Sequence, residues 1–259
     1  MFAKNATQFK ALDRFTPQPI GETIAEMREA GIVHAVIAAA DSETLGGAKI
    51  ANELIADLVR AHPDTLTGYA GVDPRKGMAA VRELEHAVRE LGLRGLSTDP
   101  FINQLLPTDA QYYPLYAKAV ELGIPVFSHC SVNFDSRVVM DYGHPRHLDQ
   151  VACHFPELTI IARHGGWPWV LDMVAVAWRH ENVYVEISGI SPKYLHRDLL
   201  TYADGLLRHK FLFGTSYPLQ PFKRAVEEFL ALPLRDETKR AILYDNAAKL
   251  LHLADASKI

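Results

Sequence analysis

No GxGxxG and no GxxxxGK[ST] occurs in these 259 residues, which weakens any nucleotide-binding reading of the chain. Cysteine is scarce: Cys130 and Cys153 are the only two, and they form no CxxC pair of the kind that holds structural zinc. Residues 1–19 (MFAKNATQFKALDRFTPQP) are polar and lack an apolar h-region, so no secretory signal is read there. The two cysteines are therefore expected as free thiols in the cytoplasm. Apolar runs are no longer than a strand, which predicts no membrane span. With no basic run and a formal net charge of −4, nucleic acid is not an expected partner.

What is present is ordinary globular material, 48% hydrophobic and 22% charged, in a length that suits one α/β barrel. Apolar, β-prone runs begin near Ile32, Leu66, Leu93, Ile124, Leu158, Asn182 and Phe211, and helical stripes fall between them. Val81, Leu84, Val88 and Leu91 make one such stripe; Phe222, Ala225, Val226, Phe229 and Leu230 make another. Seven strands alternating with helices require parallel, right-handed crossovers. Polar residues recur just after the strands, at Asp73, Asp99, His129, His164, Ser188 and Ser216, as a barrel active site needs. The expected fold is a (β/α)8 TIM barrel whose first strand is missing or atypical, because residues 1–19 offer no obvious one. One domain is expected over residues 1–259, with an atypical N-terminal segment (1–21) and a C-terminal helix (236–259). An unclosed barrel leaves sheet edges, so the N-terminal segment, or a second copy of the chain in a homo-oligomer, is expected to cover the gap.

The stretch 158–169, LTIIARHGGWPW, organises the rest. Residues 158–162 read as a buried strand, Arg163 and His164 close it, and Gly165-Gly166 turn the chain. Pro168 is expected as the first helical residue, with Val170, Val174, Ala177 and Trp178 facing inward.

GVDP at 71–74, PLYAKAVELGIPVFSH at 114–129, HFPELTIIARHGGWPWV at 154–170, NVYVEISG at 182–189, FGTSYP at 213–218 and NAAKLL at 246–251 are similar to the amidohydrolase superfamily. The branch they resemble is the amidohydrolase-related group that includes aminocarboxymuconate-semialdehyde decarboxylase. The resemblance implies a (β/α)8 barrel acting as a hydrolase or non-oxidative decarboxylase on small, often carboxylated, cyclic or aromatic substrates. It also implies a metal site, and that carry-over is incomplete. The family's opening HxH is absent; the histidine of its fifth strand, usually a metal ligand, matches His129, and that of its sixth strand, which orients or deprotonates the metal-bound water, matches His164. The family's SDYP reads TSYP, with Ser216 in the aspartate's place. Catalytic zinc takes about three protein ligands, so no cofactor is predicted. A divalent ion such as zinc would need ligands beyond these.

The expected activity is hydrolysis of a small ester, lactone or amide, with His164 as general base on water. His129 steadies that water or the oxyanion, and Ser216 adds a hydrogen bond. Trp167, Tyr217 and Arg137 are the substrate-binding candidates, with Arg146 and Lys193 as further loop cations. Glu186 is a carboxylate of raised pKa and a candidate acid if it faces the lumen, but is read here as facing outward in an ion pair, and Cys130 as core. Two alternatives stay open: a lyase, decarboxylating or hydrating a carboxylated ring, and a catalytically retired barrel that binds a metabolite.

Overall fold

Alternation of strand and helix does produce a parallel α/β barrel. The computed structural model describes residues 15–253. Its seven main strands are β1 (Ala35–Ala38), β2 (Leu66–Gly71), β3 (Leu96–Thr98), β4 (Val126–His129), β5 (Ile160–Arg163), β6 (Val183–Glu186) and β7 (Phe211–Leu212), parallel and in chain order across one sheet. The intervening helices are α1 (Ile20–Glu29), α2 (Asn52–Ala61), α3 (Met78–Arg89), α4 (Tyr113–Leu122), α5 (Arg146–His154), α6 (Val170–Arg179), α7 (Arg197–Ala203) and α8 (Phe222–Leu230).

Register decides which residues share a face. Leu96, Val126, Ile160 and Val183 are paired across neighbouring strands and all join the core under the helices. Burying each such side chain is worth roughly 1.5–3 kcal/mol. The alternate set, Ser97, Phe127, Ile161 and Tyr184, is paired in the same way and faces the lumen. The Tyr69 and Phe127 rings show this directly, meeting edge to face at 5.8 Å across the intervening β3. Two residues further on, the lumen face carries His129, Arg163 and Glu186, at the carboxyl ends of β4, β5 and β6.

The sheet does not close on itself. β1 pairs only with β2 and β7 only with β6, and among the described residues no strand precedes β1. Outside this gap α1 packs against α8, where Met27, Ala30 and Phe222 form a small cluster with Tyr217 and Val226 against it. The segment expected to drape over the gap lies mostly in residues 1–14, outside the described residues.

Two expectations need correction. α6 opens at Val170 with Trp169 as its N-cap, so Pro168 precedes the helix. Trp178 is 59% exposed because the inward stripe of α6 runs through Met173, Val174 and Ala177 and leaves the indole on the flank. The expected C-terminal helix runs in unbroken helical backbone from Asp236 to Leu250, as α9 (Asp236–Arg240), a π-turn (Ala241–Asp245) and α10 (Asn246–Leu250), and residues 254–259 lie outside the described residues. A two-residue ribbon after β1, Ala40–Asp41 with Lys49–Ile50, was too short to show in the pattern. Among the described residues no helix is long and apolar enough to cross a membrane.

Candidate active site

The two histidines converge. His129 ends β4 and His164 follows β5, with ring centroids 4.9 Å apart. Both line one cleft with Phe101, Ser131, Phe134, Trp167 and Ile190, a space of about 60 Å³. Phe101 packs on the His129 ring at 4.4 Å. Burial holds the His129 imidazole down at about 4, helped by the Arg163 charge. Burial, then His129 and Arg163, hold His164 well below the ordinary histidine value. Both rings are therefore neutral at physiological pH. His129 Nε2 lies 3.0 Å from the Ser131 carbonyl; a carbonyl only accepts, so Nε2 carries the proton.

Behind His164 runs a chain of hydroxyls ending in a carboxyl. His164 Nδ1 and Ser188 Oγ are 2.9 Å apart, Ser188 Oγ donates to Glu186 Oε2 at 2.8 Å, and Ser216 Oγ donates to Ser188 Oγ at 2.8 Å. The His164 backbone N–H also donates to Glu186 Oε2, at 3.3 Å. Glu186 thus does not face outward, as the sequence suggested; it is 5% exposed. Burial pushes its carboxyl up to about 7, with the Ser188 bond and the Arg163 charge opposing. Two glycines make the arrangement possible. A Cβ at Gly214 would fall 1.6 Å from Glu186 Oε1, and one at Gly189, where φ is +80°, 2.7 Å from His164 Nδ1. His164 and Ser216 themselves adopt left-handed backbone, at φ 72° and 50°, a strained choice that surrounding contacts must hold.

With Ser188 donating to an ionised Glu186, His164 Nδ1–H must be the donor to Ser188. When Glu186 is protonated it can donate to Ser188 instead, Ser188 then donates to Nδ1, and Nε2 bears the hydrogen. One proton on a buried carboxyl sets which face of the imidazole is acidic.

Other sequence candidates are placed as follows. Trp167 lines the cleft mouth. Tyr217 does not: its ring stacks on Phe222 at 4.2 Å and its hydroxyl donates to Glu26, because the turn after β7 directs it toward α1. Arg137 also stays out, 70% exposed and clamped on Asp135 at 2.6 Å. Arg146 and Lys193 pair with Asp141 and Glu228, and Trp169 stacks on His144. Cys130 is core, as expected. Glu186 faces the lumen and not the outside; Arg163 and Asp99, strand-end residues to which the sequence assigned no role, form an ion pair in the lumen.

A parallel α/β barrel with titratable groups gathered at its strand ends defines the class. The chain belongs to the amidohydrolase family, whose sequence profile matches residues 5–253, in the branch similar to aminocarboxymuconate-semialdehyde decarboxylase. It is 25% identical over 254 residues to the gamma-resorcylate decarboxylase of Rhodococcus jostii, spanning 80% of this chain and 76% of that one. A TIM-barrel protein of Bordetella bronchiseptica superposes with a TM-score of 0.80 at 30% identity, covering 97% of this chain and 90% of the other. A dihydroxybenzoic acid decarboxylase of Polaromonas sp. JS666, solved with manganese and the inhibitor 2-nitroresorcinol, superposes at TM-score 0.69 and 20% identity, over 96% and 90% of the chains. These relatives overturn the expectation of a hydrolase with a lyase second. A neutral imidazole at a strand end can protonate a ring as readily as it can activate water.

Manganese in such a neighbour raises the question of whether these residues fit a metal. They do not supply its ligands. The sequence has no HxH, Ser216 is engaged with Ser188, and His129 Nε2 is spent on a carbonyl. Among the described residues the one convergent ligand triad is Asp149, Cys153 and His180, with ligand atoms within 4.8 Å of one another. It lies on α5 and after α6, at the opposite end of the barrel. Restoring one ligand should not suffice: Ser216→Asp is expected to leave manganese, measured by elemental analysis after dialysis, well below one ion per chain. Near-stoichiometric metal in this variant would show that a sphere exists.

Proposed function

We propose that this chain is a non-oxidative decarboxylase of a small carboxylated aromatic ring, a lyase whose proton comes from its own side chains. The observation that carries the reading is the Glu186–Ser188–His164 chain, which connects a buried carboxyl of pKa about 7 to the cleft. Decarboxylation needs one proton delivered to the ring carbon that bears the carboxylate. His164 Nε2–H gives it, Nδ1 takes a proton from Ser188, and Ser188 takes one from Glu186. The C–CO2 bond then breaks, its electron pair returns to the ring, and CO2 leaves. His129 and Phe101 wall the ring's edge, and Trp167 shields the mouth from water. Ser216 holds Ser188 in line.

No step is routed through a divalent ion, since the donor set does not fit one. The single-domain reading is supported by the unbroken family match over residues 5–253, and a small-molecule substrate in the cytoplasm completes the proposal. The test is release of CO2 from 2,6-dihydroxybenzoate followed against pH. Because the proton source is a carboxyl raised to about 7, activity should be lost as pH rises through 7. A rate that climbs with pH across that range would sink the relay.

A further inference from the structure

We propose that Arg163 is the anion anchor of this cleft, its guanidinium taking the carboxylate of the substrate. The decarboxylase reading enters only in choosing an aromatic carboxylate as the ligand class. The register pairs Arg163 with His129, so both side chains leave the sheet on the lumen face, on neighbouring strands. The guanidinium is fixed from three sides. Its Cζ lies 4.8 Å from the centroid of the Phe127 ring, and Nη2 donates to the Thr98 carbonyl at 3.3 Å and to Asp99 Oδ1. Those contacts leave Nε buried with no acceptor. A buried donor of this kind is rare in folded proteins and calls for an oxygen that the protein itself does not supply.

The side chain as a whole is not sealed in. The Arg163 and Asp99 side chains keep 14% and 19% exposure although they stand inside the barrel. Their charge is felt where the chemistry is: Arg163 acts on His129, His164 and Glu186 together. The loop cations that the sequence offered are already taken. The cleft lining holds no Lys or Arg side chain; Arg163 stands beside it, next in sequence to the lining His164 and paired in register with the lining His129, whereas Arg137, Arg146 and Lys193 are held by Asp135, Asp141 and Glu228. Since both histidines are neutral, Arg163 is the fixed positive charge of the site, partly offset by Asp99. Arginine suits the task because it stays charged when buried and presents a rigid fork of donors to a carboxylate.

Asp99 then sets the strength of the anchor. Removing its charge while keeping its shape should free the guanidinium and tighten anion binding. Removing the guanidinium should erase the distinction between a carboxylate and a neutral ligand of the same outline.

Both effects are read by calorimetric titration, in buffer with EDTA, using unreactive salicylate against its neutral isostere salicylamide. Wild-type protein is expected to prefer salicylate by roughly tenfold or more, the reach of a charge-assisted hydrogen bond. Arg163→Met should abolish the preference while salicylamide affinity stays put, which also certifies the fold of the variant. Arg163→Lys should keep part of it, and Asp99→Asn should increase it. The proposal is overturned if wild type shows no preference, if Arg163→Met retains it, or if it develops only when manganese replaces EDTA. Failure to release CO2 from dihydroxybenzoate, with the preference intact, would count against the decarboxylase reading alone.

Discussion

Glu186→Gln is expected to lower CO2 release by about 10²–10⁴-fold, the range that general acid catalysis contributes, while binding of unreactive salicylate is unchanged. Glutamine fits the space left by Gly214 and can still accept from Ser188, but it has no proton to give. The alkaline fall in wild-type activity should vanish with it. Glu186 is held up at about 7 by burial, so it is protonated, and competent, below that value. His164→Asn should cost about as much, because it cuts the same chain at the cleft, whereas His129→Asn should cost less, its proton being committed to the Ser131 carbonyl. Single-turnover measurements separate these losses from binding. A Glu186→Gln enzyme with most of its activity and an unaltered pH limb would remove Glu186 from the mechanism.

The second large effect is on stability in mild acid. His129 titrates near 4 in the folded chain against about 6.5 unfolded. The unfolded state therefore binds more protons between those values. The stability gained by keeping this ring neutral is present above pH about 6.5 and is lost as pH falls toward 4, amounting to roughly 3 kcal/mol. His164 is shifted in the same direction and adds to the loss. Glu186 works the other way. Its folded value lies above its unfolded one, so its contribution is present at low pH and lost as pH rises through 7, offsetting about one histidine's worth. The net expectation, with one histidine left uncompensated, is a urea midpoint that drops from pH 6.5 to 4.5. In His129→Gln, which has no ring to protonate, the drop should be distinctly shallower; an equal slope would show that other groups govern acid unfolding.

How much of this was legible beforehand depends on the kind of signal. Strand–helix alternation is a period that survives any tertiary detail, so the seven strands and their parallel order were readable; their ends shifted by a few residues. β1 shrank to four residues because only β2 pairs with it. His129 and His164 were readable because both stand at strand ends. Glu186 was misjudged for a physical reason. A strand buried on both faces does not advertise which side is lumen, and the answer came from its pairing with Leu212 and from the missing Cβ of Gly214. Tyr217 failed as a cleft residue because a turn, not the strand, sets its direction. The reaction itself was beyond reach of spacing, since a neutral imidazole at a barrel mouth can equally deprotonate water or protonate a ring.

The seam between α1 and α8 has a bearing on how the chain reaches this state at all. Gln18 Nε2 donates to the Tyr217 hydroxyl across 199 residues of sequence, and that hydroxyl donates back to Glu26 across 191. Neighbouring strands, by contrast, join segments only one crossover apart. Closing so long a loop carries an entropic cost that later contacts must offset. The order of events is thereby biased: successive βα units can assemble as they emerge from synthesis, but the first helix has no docking surface until the last one exists. The contact between α1 and the turn after β7 is therefore expected to form late. Before that contact forms, the edges of β1 and β7, which no further strand pairs among the described residues, are at their most exposed to aggregation.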